Sequence, residues 1–269
     1  MEDEKINQPM TELAGEAAKA ERAGGLLESR DYYKPFQYPW AYEAFMQSEQ
    51  MHWLWTEVPM LEDVKDYQQK LTDSERDFLT KILRFFTQGD IDVSGAYVNS
   101  YLPRFKQPEV RMMLSSFAAR EAVHIAAYSH LIETLGLPES IYNEFLQYEA
   151  MAAKHDFFNE VCRDKGDLAA QIAAFSAFTE GMQLFSSFVM LLNFTRCGTM
   201  KGMGQIIAWS IADETLHTES MTKIFREYIT ENPELWTDEL KAEIYGIAEV
   251  MVDLEDKFID LAFGVSEMK

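Results

Sequence analysis

Two copies of the pattern Glu-x-x-His are the part of this sequence best suited to metal binding. They are Glu121-Ala-Val-His124 and Glu214-Thr-Leu-His217. Residues three apart share one face of a helix, so each pair is able to ligate one ion from one side. A third match, Glu49-Gln-Met-His52, lies on a short segment beside a linker, and we interpret it as a coincidence in an acidic chain.

Two further acids precede these pairs by similar intervals. Asp90 lies 31 residues before Glu121, and Glu180 lies 34 residues before Glu214. In antiparallel helices joined by a short turn, level residues are separated by roughly 30–35 positions. Both acids have apolar neighbours, where an unpaired carboxylate is costly. We therefore expect six ligands around two cations, as in di-metal helical bundles; two solvated helix faces are the alternative.

The ligand types indicate redox chemistry. Carboxylates with one imidazole per ion favour iron or manganese over zinc, and a pair of such ions can reduce dioxygen. Tyr128 follows His124 by four residues, on the same helical face, and its phenol is readily oxidised by one electron. Leu184 and Phe188 follow Glu180 at four and eight residues, where they could enclose Tyr128. Ordinary core packing remains the alternative for all three side chains.

Long helices must position these residues. Only 13 glycines and 8 prolines occur, and they fall between long periodic stretches. We expect an all-α, elongated helical bundle with a dinuclear metal site in its core. The expected helices cover residues 40–52, 72–101, 108–135, 138–162, 168–194, 205–230 and 233–263. Residues 1–35 are expected to form an N-terminal arm that is mobile or loosely docked, and residues 36–269 one domain.

Composition excludes several classes of protein. A net charge of -21 disfavours nucleic-acid binding, and 47% apolar with 13% aromatic residues excludes general disorder. The two cysteines, Cys162 and Cys197, indicate reduced thiols rather than a disulfide framework. The acidic N-terminus lacks a signal peptide, and the apolar stretch 184–194 is about half the length of a membrane span. These features predict a cytoplasmic protein that contacts no membrane.

Four segments together resemble the small, radical-generating (β) subunit of class I ribonucleotide reductase, a member of the ferritin-like superfamily. They are Glu121-Ala-Val-His124-Ile-Ala-Ala-Tyr128, Ile211-Ala-Asp213-Glu214-Thr-Leu-His217, Phe178-Thr-Glu180-Gly and Phe85-Phe-Thr-Gln-Gly-Asp90. The resemblance extends from about residue 53 to residue 263. It implies one metal held by Asp90, Glu121 and His124, and a second held by Glu180, Glu214 and His217.

The resemblance also implies roles for residues outside the metal site. Tyr128 occupies the position of the stable tyrosyl radical. Trp53 matches the electron-transfer tryptophan, and Asp213 matches the acid that links it to His124. Trp55 lies two residues from Trp53, and the residues alone do not separate the two.

The implied function is that of a ribonucleoside-diphosphate reductase. Two iron ions are the implied cofactor, with di-manganese or a mixed manganese–iron pair as alternatives. The implied partners are dioxygen, a second copy of the chain, and a large subunit that reduces ribonucleotides to deoxyribonucleotides. The sequence stops at Lys269 without a candidate relay tyrosine or docking tail, so either the chain is trimmed or split, or radical export to the large subunit is impaired. We expect metal assembly to survive in both cases, because every implied ligand lies within residues 90–217. A ferritin-like iron-handling protein or a di-iron oxygenase or desaturase is the alternative function.

Overall fold

The computed structural model describes residues 24–164 and 167–264, and this part of the chain is helical without a strand. Nine α-helices occur within these ranges. They are α1 (Pro39–Gln50), α2 (Leu61–Lys65), α3 (Asp73–Ala96), α4 (Pro108–Thr134), α5 (Glu149–Asn159), α6 (Leu168–Ala173), α7 (Leu184–Arg196), α8 (Lys201–Glu231) and α9 (Asp238–Ala262). The all-α bundle expected from the sequence is confirmed.

Local sequence explains where the two central helices begin. Thr72 caps α3 through a reciprocal capping box, in which Thr72 Oγ1 accepts from the backbone of Glu75 at 3.2 Å and Glu75 Oε2 accepts from the backbone of Thr72 at 2.8 Å. Pro108 occupies the first turn of α4, where its missing N–H has no intrahelical partner to lose. Both starts agree with the helices expected over residues 72–101 and 108–135.

Two π-helical segments interrupt the regular helices near the centre of the bundle. α3 continues as a π-turn over Tyr97–Tyr101, and α6 continues into α7 through the π-helix Ala174–Gln183, which contains Glu180. A π-helix widens the helix and shifts the register of the side chains that follow it, and such segments are frequent at functional sites.

The helix expected to start at Pro138 begins later. Residues Glu139–Tyr142 and Glu144–Gln147 form two 3-10 turns, and α5 begins at Glu149. Arg84 on α3 donates to Tyr148 Oη at 3.0 Å and to Glu144 Oε2 at 2.7 Å. These tertiary contacts hold Tyr148 in an extended conformation, which local propensity does not reveal.

The bundle has two apolar clusters separated by a polar layer. The first cluster contains Phe86, Tyr128 and Phe188, and the second contains Tyr97 and Phe175. Each of the four central helical stretches contributes to both clusters. The residues that lie between the two clusters on those stretches include the six predicted metal ligands.

Residues 24–35 belong to the segment predicted as an N-terminal arm, whose residues 1–23 lie outside the described residues. Leu26 is fully buried, and its backbone N–H donates to Glu231 Oε2 at 2.9 Å. Arg30 forms an ion pair with Glu109 at 2.6 Å. The described part of this segment therefore packs against the bundle.

One helical stretch of the described residues, Leu168–Arg196, is long and apolar enough to cross a membrane by length and composition. The apolar run 184–194 is thus the second half of a longer helical stretch, in agreement with the helix expected over residues 168–194. Half of the most apolar part of the stretch Leu168–Arg196 is buried in the bundle, and the stretch contains the buried acid Glu180. Burial of this kind is typical of a core helix. Both Cys162 and Cys197 are free thiols, as predicted.

Candidate metal centre

All six predicted ligands are buried and converge between the two apolar clusters. Each is at most 3% exposed. They come from four helical stretches: Asp90 from α3, Glu121 and His124 from α4, Glu180 from the π-helix Ala174–Gln183, and Glu214 and His217 from α8. The two Glu-x-x-His pairs each present both side chains to the interior because residues three apart share a helix face.

Two carboxylates, Glu121 and Glu214, each face both imidazoles. Glu121 Oε2 lies 3.4 Å from His124 Nδ1, and its Oε1 lies 3.2 Å from His217 Nδ1. Glu214 Oε1 lies 3.2 Å from His124 Nδ1, and its Oε2 lies 3.3 Å from His217 Nδ1. The imidazole ring centres are 6.5 Å apart. Each of these carboxylates therefore spans the space between two potential metal positions.

The other two carboxylates lie at opposite ends of the centre. Glu180 Oε1 is 3.6 Å from His217 Nδ1, and Asp90 interacts electrostatically with His124. Ligand atoms of Glu121, Glu180, Glu214 and His217 all lie within 4.8 Å of one another. The arrangement gives each imidazole one carboxylate of its own and two that it shares.

The donor atoms fit a pair of cations. Buried atoms of five of the six side chains have no hydrogen-bond partner among the described residues, although such atoms are normally satisfied. They are Asp90 Oδ2, Glu121 Oε1 and Oε2, Glu180 Oε2, Glu214 Oε2, and His217 Nδ1 and Nε2. Cations between these atoms would satisfy them, and oxygen donors with imidazole suit iron or manganese.

The electrostatics of the side chains point the same way. Burial raises the pKa of Asp90 well above its ordinary value and also raises the pKa of Glu180. Burial opposes charging of His124 and His217, but the surrounding carboxylates outweigh it and raise the pKa of both imidazoles. Without cations, the cluster therefore retains protons that metal binding would displace.

Tyr128 lies in the apolar cluster next to the centre. It is 3% exposed, and its hydroxyl donates to Ser210 Oγ at 3.3 Å. The ring of Phe86 stacks on it with a centroid distance of 4.6 Å and an interplanar angle of 9°, and the ring of Phe188 stacks on Phe86 at 5.5 Å. Leu184 is buried in the same cluster. Water is excluded from the phenol, and burial raises its pKa.

A hydrogen-bonded chain connects the centre to an indole. Trp53 Nε1 donates to Asp213 Oδ2 at 2.9 Å, and the same oxygen lies 3.1 Å from His124 Nε2. Arg120 supports this chain, since its Nη2 donates to the backbone oxygen of Trp53 at 3.3 Å. Trp55 is half-buried at the start of the 3-10 helix Trp55–Glu57. Trp53, rather than Trp55, is the indole in contact with Asp213.

The third Glu-x-x-His match lies outside the cluster, as expected. Glu49 and His52 are both exposed, and Glu49 accepts a hydrogen bond from Ser116 at 2.7 Å. The residues in or beside the site that the sequence does not identify include Phe86, Arg120 and Tyr97. Phe86 lies four residues before Asp90, and Tyr97 lies seven residues after it. This spacing places both on the same helix face as Asp90 and was the signal in the sequence that could have identified them.

A helical bundle with two inward Glu-x-x-His pairs and two further carboxylates defines the class of ferritin-like di-metal carboxylate proteins. The family model described as "Ribonucleotide reductase, small chain" matches residues 30–269. The chain belongs to this family.

Individual relatives agree. The chain is 52% identical over 257 residues to a probable ribonucleoside-diphosphate reductase small subunit of Invertebrate iridescent virus 6, covering 88% of this chain and 71% of the relative. It is 30% identical to the ribonucleoside-diphosphate reductase subunit beta of Chlamydia pneumoniae, covering 83% and 69%. The ribonucleotide reductase R2 subunit of Clostridium botulinum has the same fold, with a TM-score of 0.83 at 21% identity, covering 92% and 82%.

These similarities decide between the two functions that the sequence left open. The chain is a ribonucleoside-diphosphate reductase small subunit rather than a ferritin, oxygenase or desaturase. Membership of this family implies a separate large catalytic subunit, which reduces ribonucleotides for DNA synthesis. The buried Glu and His cluster fits a dinuclear metal site.

Proposed function

We propose that the six buried side chains hold two iron ions, with manganese at one or both positions as the alternative, and that Tyr128 stores the resulting radical. In this proposal Asp90, Glu121 and His124 would hold one ion, and Glu180, Glu214 and His217 would hold the other. The proposal rests on one observation: the carboxylates of Glu121 and Glu214 each face both imidazoles at 3.2–3.4 Å inside the buried core of the bundle.

Bound iron or manganese would convert dioxygen to an oxidant, which the side chains alone do not do. The protein supplies position and the exclusion of water. Tyr128 would pass one electron and its phenolic proton to that oxidant, and the stacked ring of Phe86 shields the phenol from solvent. A burial this complete favours long storage of a neutral radical, because reductants and water have no path to the phenol.

Transfer out of the centre is proposed to use the Trp53–Asp213–His124 chain. Its contacts of 2.9 and 3.1 Å are short enough for a proton to move with the electron. Trp209 packs on Trp53 with ring centres 5.3 Å apart, which holds the indole plane in place. The electron that completes dioxygen activation and the radical that leaves for the large subunit would both use this route.

The assembly is proposed to be a homodimer that works with the large subunit in the cytoplasm. Residues 36–269 are proposed to act as one domain, preceded by the arm of residues 1–35. The charge of -21 makes association with nucleic acid unfavourable.

The test is to load the metal-free protein with Fe(II) without oxygen, admit air, and record metal content with the EPR and visible spectra. We expect two ions per chain and a tyrosyl signal that disappears in Tyr128→Phe. Tyr148→Phe, at a half-buried tyrosine that binds Arg84, is the control and should keep the signal. A signal that persists in Tyr128→Phe contradicts the assignment.

A further inference from the structure

Tyr97 contacts the centre at the end opposite Tyr128. Its hydroxyl donates to Glu180 Oε1 at 2.6 Å, and the whole tyrosine is inaccessible to solvent. The other oxygen of the same carboxylate, Glu180 Oε2, is buried and has no hydrogen-bond partner among the described residues. The hydrogen bond thus engages one oxygen of Glu180 and leaves the second available.

The ring of Tyr97 is fixed on several sides. Phe175 meets it edge to face at 5.0 Å and 89°, Phe117 lies at 6.0 Å, and the His217 ring lies at 5.8 Å. Such contacts leave the ring little rotational freedom, so the hydroxyl has one direction in which to donate. A hydrogen bond to a carboxylate from a fixed donor restricts the rotation of that carboxylate.

The two ends of the centre are supported by different residues. On one side, Asp213 Oδ2 accepts a hydrogen bond from His124 Nε2, and this contact orients that imidazole. On the other side, His217 Nε2 has no hydrogen-bond partner among the described residues. The carboxylate of Glu180 is the oriented group there, and Tyr97 is its donor.

We propose that Tyr97 is a positioning residue that fixes the carboxylate of Glu180 beside His217, where that carboxylate would hold one of the two metals. This inference rests on the proposed dinuclear centre. One continuous helical stretch supplies both residues: Asp90 lies on α3, and Tyr97, two helical turns later on the same face, begins the π-turn Tyr97–Tyr101. Tyr97→Phe removes only the hydroxyl, so Glu180 would keep its place in the chain but lose its fixed orientation.

The experiment is a titration of metal-free protein with Mn(II), with free Mn(II) measured by EPR. A low-temperature EPR spectrum of the loaded protein reports the geometry of the two ions. In Tyr97→Phe we expect one equivalent to bind as in the parent protein and the other to bind about tenfold or more weakly, with an altered spectrum, because a charge-assisted hydrogen bond is lost.

Tyr101→Phe is the matched control. Tyr101 is equally buried, four residues along the same helical stretch, but it donates to the backbone oxygen of Gln171 at 3.2 Å instead of to a ligand. It should bind both equivalents like the parent. In a Glu180→Ala background, Tyr97→Phe should cause no further loss, since the effect acts through that carboxylate.

Three results would overturn the inference in distinguishable ways. Unchanged affinities and an unchanged spectrum in Tyr97→Phe would show that the hydroxyl does not position Glu180. Equal weakening of both equivalents together with a lower melting temperature would show a general structural role. A parent protein that binds fewer than two Mn(II) ions per chain would remove the proposed centre and this inference with it.

Discussion

Single atoms distinguish the four carboxylates of the centre. Glu121 and Glu214 use both oxygens toward the two imidazoles, whereas one oxygen of Glu180 is taken by a phenol. Contacts to the two imidazoles lower the pKa of Glu214 although burial opposes this, whereas burial dominates at Glu180 and raises its pKa. Side chains of the same type thus have different tasks because their neighbours differ.

The Trp53 indole permits a test at a single atom. Trp53→Phe keeps an aromatic ring but removes the N–H that donates to Asp213 Oδ2. We expect reductase turnover with a large subunit to fall by about 10- to 100-fold, the range typical of residues that support a metal ligand, while metal content stays near the parent value. Trp55→Phe is the control and should keep turnover. Equal losses in the two variants would contradict the proposed route.

Phe86 permits a second test. It stacks on Tyr128 at 4.6 Å, so Phe86→Leu would leave space beside the phenol and admit water or a reductant. We expect the tyrosyl signal to form but to decay at least several-fold faster than in the parent, as followed by EPR over time. Phe105→Leu, at a fully buried position in the other apolar cluster, is the control. A signal as long-lived as that of the parent would show that Phe86 does not shield the radical.

At the scale of the elements, α8 depends on another helix for its N-terminal cap. Met200 precedes it with φ 53, a left-handed conformation, and provides no side-chain cap. Asp63 on α2 instead accepts from the backbone of Gly202 at 2.9 Å and of Met203 at 2.7 Å. Asp66 accepts from the backbone of Met200 at 2.9 Å. Asp63 of α2 and Asp66, which begins the π-helical segment Asp66–Lys70, therefore satisfy backbone N–H groups at the start of the helix that carries Asp213 and one Glu-x-x-His pair.

Removal of this cap should loosen α8. Asp63→Ala leaves two buried N–H groups without acceptors, so we expect the free energy of unfolding to fall by about 2 kcal/mol, measured by urea denaturation. Asp73→Ala is the control, because its carboxylate is fully exposed at the start of α3. A difference of less than about 0.5 kcal/mol between the two variants would contradict this assignment.

At the scale of the whole molecule, the buried carboxylates of the centre lower the free energy of unfolding unless bound protons or cations neutralise them. Asp90, Glu180, His124 and His217 all have raised pKa values in the folded state. Above the ordinary pKa of each group, the folded protein binds more protons than the unfolded chain, so stability falls as pH rises. Glu214, with a lowered pKa, adds stability with pH only below its ordinary value of 4.5.

The melting temperature of the metal-free protein should therefore fall between pH 6 and pH 9. For each extra proton that the folded state binds, the free energy of unfolding should fall by on the order of 1 kcal/mol per pH unit. Saturating Mn(II) should flatten or reverse this trend, because cations bind deprotonated ligands. Thermal melts with EDTA and with Mn(II) at several pH values provide the measurement. A melting temperature that rises with pH in EDTA would contradict the assigned charges.

The sequence by itself determined the helical bundle and the six buried donors. Both depend on local spacing: a Glu and a His three residues apart share a helix face wherever the helix lies, and the length of a helical hairpin puts Asp90 and Glu180 level with the two pairs. The capping box at Thr72 is local in the same way, as is the N-terminal Pro108.

Only the tertiary structure decided which atoms face each other. The contact of Trp53 rather than Trp55 with Asp213, the hydrogen bond from Tyr97 to Glu180, and the cap that α2 provides for α8 all join residues far apart in sequence. The 3-10 turns before α5 likewise depend on Arg84 across the bundle. Such contacts are set by the packing angles and registers of neighbouring helices, which the periodicity of one helix does not encode.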